Sequence, residues 1–446
     1  MPPHHAHDTA APRLSDQDAD TPSRPRYDAY KDSGVDWLGA IPEHWKTAKL
    51  KYLCKQSAVY GANRSSDEYI NEGVRFLRTT DIDDFGRLSN EGVSISEDSV
   101  EDYLLADGDL LLSRSGTVGR SFVYEEDEHP RAAYAGYLVR FVLKKNEMRP
   151  NFAFYFTKTT QFNEWLKSNS IESTIGNVSG DKYANMTMVV PPLPEQRAIA
   201  AYLDRETERI DALLDKKQRL IDLLEEKRTA LISHAVTKGL DDDAEMQDSG
   251  VEWLGALPAH WETAKVTHLL ESLNRKRIPV SSTERAKMQG EYPYYGASGV
   301  IDHVDDYLFE EPLILVAEDG ANLFSRSTPL AFVARGRYWV NNHAHILRPR
   351  YEPLEYWAYV LRSIIYDPWI TGAAQPKLTQ DNLGSIRLPV PPESERHEIV
   401  KMLSREKKQI NGLISRVRDG IARLKEYRTA LISAAVTGRI DVRGSA

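Results

Sequence analysis

SGVDWLGAIPEHWKTAK, Ser33 to Lys49, decides the fold because it is written twice: SGVEWLGALPAHWETAK stands at Ser249 to Lys265. A second pair of matches follows the first. Pro191-Pro192 leads to RTALIS at Arg228–Ser233 and then to Ala235-Val236-Thr237. Pro391-Pro392 leads to the same RTALIS at Arg428–Ser433 and to Ala435-Val436-Thr437. Chance does not produce matches of this length in this order, so the chain is two copies of one plan. Each copy has a lead-in with two tryptophans, a block of its own, a Pro-Pro hinge and a long polar–apolar segment.

The blocks, roughly 51–190 and 267–390, scarcely resemble each other and differ in length. A shared frame around diverged blocks is the pattern of two modules doing one job on different targets. Two identical active sites would have kept the blocks alike. A duplicated structural protein with drifting loops is the bland alternative.

The long segments read as helices. After Pro194, apolar residues fall at Ile199, Leu203, Ile210, Leu213, Leu214, Leu220, Ile221, Leu224, Leu231 and Ile232. The second copy has Ile399, Leu403, Ile410, Leu413, Ile414, Val417, Ile421, Leu424, Leu431 and Ile432. Steps of three, four and seven are helical. Charges such as Asp204, Arg205, Glu225, Lys227, Arg405, Lys407 and Lys408 solvate the other face. Each stretch runs about 40 residues without an interior proline, or about 57–60 Å of helix. A helix of that length with a narrow apolar seam is poorly stable alone and wants a partner with the same seam. The other copy is the obvious partner. Gly412 and Gly420 weaken the second helix by roughly 1 kcal/mol each relative to alanine, which pairing must offset.

The blocks have a different texture. Asp109–Ser113, Tyr137–Leu143, Pro312–Ala317 and Leu330–Ala334 are short runs of strand-forming residues bounded by Gly, Pro or Asp. Pro150 to Lys167 and Leu354 to Tyr366 look like helices near the end of each block. The expected architecture is α+β: two mixed α/β domains separated by two long helices that form an antiparallel coiled coil, with a pseudo-two-fold internal repeat. The boundaries read as a disordered tail over 1–26, a first domain over 27–190, a long helix over 191–240, a second domain over 241–390 and a second long helix over 391–446.

Composition narrows the class. The chain has 446 residues, 41% hydrophobic and 28% charged, as in ordinary globular proteins of two to four domains. No apolar run approaches the ~18 residues that span a bilayer, so no membrane association is expected. Cys54 is the only cysteine, which rules out an internal disulfide and a cysteine-based zinc site and suits a reducing cytoplasm. Cys54 itself reads as a buried apolar residue. A net charge of −9 argues mildly against nonspecific nucleic-acid binding, which depends on neutralising phosphates. It leaves room for a specific binder with local basic surface.

Over about residues 27–440 these pieces resemble the specificity subunits of Type I restriction–modification enzymes. The lead-in SGVDWLGAIPEHW, the hinge VVPPLPEQRAIAAYLD and the terminal KRTALISHAVTKGL look like that family's framework. YPYYGASGVIDHVDDYLFEEPLILVAEDGANL followed by YWVNNHAHILRP is similar to one of its target-recognition domain types, and GDLLLSRSGTVGRSF resembles another. PPESERHEIV departs from the usual hinge at Ser394 to His397, which puts little in doubt. The resemblance implies target-recognition domains that each read one half of a bipartite site in double-stranded DNA. It also implies docking of two methyltransferase subunits and of restriction subunits. S-adenosylmethionine, ATP and Mg would belong to those partners, leaving this chain without a cofactor of its own and without catalysis. Two modules on one face of a duplex need centres about one helical turn apart, ~34–36 Å.

Candidate recognition residues follow. In the first block, Arg114, Ser115, Thr117 and Arg120 form a polar turn directly after a buried strand, where Arg114 or Arg120 can fork onto guanine. Asn63 and Arg64, with Arg78, Thr79 and Asp81, are supporting clusters. Asn177 lies just ahead of the hinge, and Lys377 occupies the matching position of the second copy. In the second block, Tyr295 and Ser298, Asp319 and Asn322, and Asn342, His343 and His345 sit in turns rich in donors and acceptors. His343 and His345 lack a clear third metal ligand, so a core or DNA-contact role is the better reading. Arg275 and Lys276 suit phosphate, though an ordinary solvated surface is nearly as good an account. The Trp37/Trp45 and Trp253/Trp261 pairs read as structural wedges.

Enzyme readings fail at specific points. No Asp-Pro-Pro-Tyr or Asn-Pro-Pro-Tyr tetrapeptide is present for adenine methylation, and no Gly-x-x-x-x-Gly-Lys-Ser/Thr loop for ATP. The reading that competes is a duplicated coiled-coil scaffold that does not bind DNA. A stand-alone regulator would need a helix-turn-helix or a strongly basic surface, and neither is visible.

Overall fold

The computed structural model describes residues 25–170, 176–320, 322–372 and 375–444. The tail expected over 1–26 lies outside the described residues except for its last two. The chain divides into two compact units. One takes in the described residues up to Lys216 together with those from Asp419 onward; the other runs from Lys217 to Arg418.

In the first unit the lead-in folds into a short antiparallel pair, Tyr30–Asp32 with Ala40–Pro42. Lys46–Lys49 then pairs antiparallel with Thr187–Val190, the strand that enters the hinge. The block between them is built on a four-stranded antiparallel sheet in the order Cys54–Tyr60, Leu138–Leu143, Asp109–Ser113, Ser121–Val123. All five residues of Asp109–Ser113 are buried, because helices cover one face and a second sheet the other. That second sheet pairs Ala132–Tyr134 in parallel with Val74–Leu77. The expected helix over 150–167 is two helices, Pro150–Phe156 and Thr160–Asn169. Thr159 interrupts them: its Oγ1 accepts from Phe162 N and so caps the second.

The second unit repeats this plan. Met246–Asp248 pairs with Ala256–Pro258, and Glu262–Lys265 with Arg387–Val390. Its main sheet runs Leu270–Ser272, Ala344–Pro349, Leu313–Ala317, Ala331–Ala334, the same order of equivalent strands. Trp339–Val340 lies parallel to Gln289–Gly296, as Ala132–Tyr134 lies parallel to Val74–Leu77. The blocks that scarcely match in sequence therefore share a topology. What differs is the outer sheet, four strands in one unit and three in the other.

The long helices are Leu193–Lys238 and Glu393–Val436. In the first unit Ile199, Leu203, Ile210 and Leu214 share a core with Leu431, Ile432, Ala435 and Val436. In the second, Ile232, Ala235 and Val236 share one with Ile399 and Leu403. Start meets end in both, so the pair is antiparallel. A repeated polar clasp supports it: Arg428 donates to Asp211 Oδ1 at 3.1 Å, and Arg228 to Asn411 Oδ1 at 2.8 Å. The seam is narrower than the periodicity suggests. Leu213, Leu220 and Leu413 are 47%, 45% and 42% exposed, because a single facing helix covers only the stripe through Ile210, Leu214 and Ile221 and their counterparts.

Each lead-in is bolted to the first turn of a long helix. Trp45, fully buried, donates Nε1–H to Glu195 Oε2 at 3.0 Å; Tyr27 donates its hydroxyl to the same oxygen, and His44 Nε2 stands 2.7 Å from Oε1. In the second unit Trp261 donates to Glu395 Oε2 at 3.0 Å and His260 Nε2 stands 2.8 Å away. The neighbouring residue is repeated in role, not in type. Gln196 Nε2 donates to Pro191 O and Glu147 O; Arg396 donates to Pro391 O and Glu352 O. The departure at 394–397 thus preserves the bonds. The end of a long helix closes each site with a left-handed glycine. Gly239 (φ +82°) sits against Pro258 and Trp261, and Gly438 (φ +74°) against Pro42 and Trp45. In the first unit Asp441 N donates to Pro25 O at 2.7 Å.

Cys54 is buried, its Sγ donating to Leu50 O, and burial pushes the thiol up to about 12. Among the described residues no helix is long and apolar enough to cross a membrane. Replacing Glu195 with Ala strands the buried Trp45 and Tyr27 donors. Denaturant unfolding is expected to show a loss of about 1–3 kcal/mol, and a smaller loss for His44→Ala, whose side chain is half in water.

Candidate nucleic-acid interface

The sheet topology brings the sequence-predicted residues to one place in each unit. The loop after the central buried strand lies beside the segment that precedes the hinge. Ser115 bridges Asn177, and Asp319 bridges Lys377, both antiparallel. The inferred match of Asn177 with Lys377 is thus a match in space. A glycine in the left-handed region, Gly116 or Gly320, turns the chain away after each bridge.

In the first unit Arg114 stands at the start of this loop. Its N–H donates to Tyr137 O, and its guanidinium lies over the Tyr60 ring at 4.9 Å. Tyr60 in turn accepts from Gly180 N at 2.9 Å. Tyr137 is 66% exposed. Asn63 joins the same edge, because its side chain packs on Gly136, one residue before Tyr137. Ser115 is half-buried, while Gly116 and Thr117 are exposed at the tip.

The other residues named in this unit are committed to the fold. Arg120 forks onto Asp84 Oδ1 at 3.1 and 3.0 Å and also donates to Thr79 O. Arg78 forks onto Asp81, which is 3% exposed and caps the short turn Thr79–Asp81. Arg64 donates to Glu68 and to Ser99 O. An arginine whose donors are filled internally is a brace.

In the second unit the position matching Arg114 is Glu318, which pairs with Arg277 and, at 3.2 Å, with Lys377. Burial works against its charge, but these two cations and their hydrogen bonds hold the carboxyl below the ordinary glutamate range. Asp319 receives His343 Nδ1 at 2.8 Å, and Asn341 Oδ1 accepts from His343 N. Lys377 and His343 remain about half exposed. Arg275 and Lys276 are exposed on a short turn, Asn342 and Ser298 are exposed, and Tyr295 packs half-buried against Phe332 and Tyr338.

Two predicted residues of this unit belong to the interior. His345 is fully buried: Nε2–H donates to Leu378 O at 2.7 Å and Nδ1 accepts from Asn274 Nδ2 at 2.8 Å. Asn322 is 9% exposed and ties Ser327 and Thr328 into a turn. Sequence reasoning missed Asn274 and Glu318, which organise this network, and Tyr60, which backs Arg114. The only signal for Tyr60 was an aromatic ahead of Gly61-Ala62. Nothing in the pattern marked the other two.

Burial pulls the His345 imidazole below its usual range. As pH falls below about 6.5 the unfolded chain takes up a proton that the folded site resists, so stability is full above that value and lost beneath it. Unfolding of the second unit, followed by hydrogen exchange at pH 7.5 and 5.5, is expected to show this loss. His345→Gln should flatten it.

A family model described as Type I restriction modification DNA specificity domain matches residues 42–222 and again 258–421. A chain assigned as a type I restriction enzyme specificity subunit in Haemophilus influenzae is 37% identical over 133 residues, 29% of this chain and 33% of that one. The MjaX specificity subunit assigned in Methanocaldococcus jannaschii is 21% identical over 429 residues, 91% of this chain and 96% of that one. A solved chain from work on complex assembly and conformational transition of the type I R-M system superposes with a TM-score of 0.66. It has 15% identity, over 89% of this chain and 98% of that chain, and so supports the fold. Two consecutive matches that together take in most of the sequence leave one conclusion: the chain belongs to the Type I restriction–modification DNA specificity family.

Proposed function

We propose that this chain recognises a bipartite site in double-stranded DNA, each unit reading one half, and thereby directs two methyltransferase subunits and the restriction subunits of a Type I complex. The observation that carries the reading is the paired scaffold. The same sheet order presents the same loop beside the same pre-hinge segment, yet the side chains there are arginine and amide in one unit and an acid–base network in the other. One framework with two polar surfaces suits two different targets. The chain itself performs no chemistry on this reading; S-adenosylmethionine, ATP and Mg serve the partner subunits in the cytoplasm. The repeated frame around Glu195 and Glu395, together with the solvent-facing flanks of the long helices, is the proposed docking surface for those partners.

Methylome sequencing of a host carrying the complete system tests this directly. Sequence-selective adenine methylation is expected, and exchanging residues 51–190 for another block should change one half-site only. A change in both halves contradicts modular reading. Absence of any sequence preference favours the protein scaffold instead. Adding one heptad to each long helix should widen the unread gap by up to ~10 Å, about three base pairs; an unchanged gap would show that the helices do not set it.

A further inference from the structure

We infer that Arg114 reads a guanine in the half-site taken by the first unit, and that no arginine does so at the equivalent place in the second. The inference rests on the DNA-reading function proposed above and gives it a base.

Of the arginines grouped after the central strand, only Arg114 has its fork free. Arg120 spends its donors on Asp84 and Thr79 O. Arg114 makes no side-chain hydrogen bond or ion pair with any described residue, and its Nε is shut off from solvent without an acceptor. Asn177, immediately alongside, has its Oδ1 buried without a donor. A buried polar atom left unpaired costs free energy, and two within one exposed loop edge mark a surface that is completed by something outside the chain.

The guanidinium is also held in place. It lies on the Tyr60 ring, and Tyr60 is fixed by Gly180 N. Contact with the ring restrains the fork, and Arg114 as a whole stays only half-buried. A planar fork with two parallel donors matches the O6 and N7 acceptors of guanine in the major groove, and no other base offers that pair of acceptors. The exposed Tyr137 and Asn63 lie on the same edge of the unit.

The second unit inverts the charge at this place. Glu318 replaces Arg114 in the bridge pattern and is held by Arg277 and Lys377, so no free fork stands there. The two halves of the site are therefore read by different chemistry.

The test is methylome sequencing with the full chain and its methyltransferase subunits, the first half-site having been assigned by the block exchange. That half-site is expected to contain a guanine. Arg114→Gln should relax it on the order of 10- to 100-fold while leaving the other half-site untouched. Tyr60→Leu, which keeps the arginine but removes its support, should relax the same position less. Arg120→Gln should lower the melting temperature without relaxing any base. A first half-site lacking guanine, or full discrimination retained by both Arg114→Gln and Tyr60→Leu, overturns the inference while leaving the DNA-reading function standing. Loss of all sequence preference in the unaltered protein defeats that function and this inference together.

Discussion

A carboxylate at the first turn of each long helix, buried in the first unit and partly buried in the second, is the bond on which the architecture depends. Glu195 gathers the indole of Trp45, the hydroxyl of Tyr27 and the imidazole of His44, which fixes the lead-in to the helix start. The lead-in then supplies Lys46–Lys49 to pair with the strand entering the hinge, so the block between is clamped at both ends. An acid at a helix N-terminus also complements the helix dipole. Removing it would leave two buried donors and one loosened helix. The second unit repeats the indole and imidazole contacts around Glu395, with the carboxylate somewhat more open to water.

The frame was legible in the sequence because it is said twice, and repetition separates signal from drift. The lead-in tryptophans and the hinge fall where the matched segments place them, and the helical seam does so through Ile210, Leu214 and Ile221 but not through Leu213, Leu220 or Leu413. The odd hinge at Glu395-Arg396 proved equivalent at the level of bonds, since arginine reaches the same two kinds of carbonyl that glutamine does. The common sheet order of the blocks was not legible. Strand pairing depends on partners far apart in sequence, and Leu313–Ala317 shares full burial but only one identical residue, Leu315 for Leu111, with Asp109–Ser113. The division between braces and free side chains was equally hidden. Arg114 and Arg120 look interchangeable in the string, and only Asp84, 36 positions away, tells them apart.

Electrostatics explains how an acidic chain can serve a polyanion. Much of its positive charge is held internally: Arg78 by Asp81, Arg277 by Glu318, Arg428 by Asp211. Such pairs organise structure and contribute little net field. What matters to a nucleic acid is the subset of cations gathered on a shared edge, and these are set by topology more than by composition. A total charge of −9 averages over both populations and hides the second.

The left-handed glycines Gly239 and Gly438 have a consequence for how such a chain can be strung together. Each ends a long helix against a proline and a tryptophan of a lead-in, once through an unbroken chain and once between segments remote in sequence. With Asp441 bonded to Pro25, the second junction is closed in space although it is open in the backbone. Each unit thus carries the same joint, made in one by a continuous stretch of chain and in the other by two stretches far apart in sequence. A gene rotated to begin at the other joint would encode the same set of contacts in a different order.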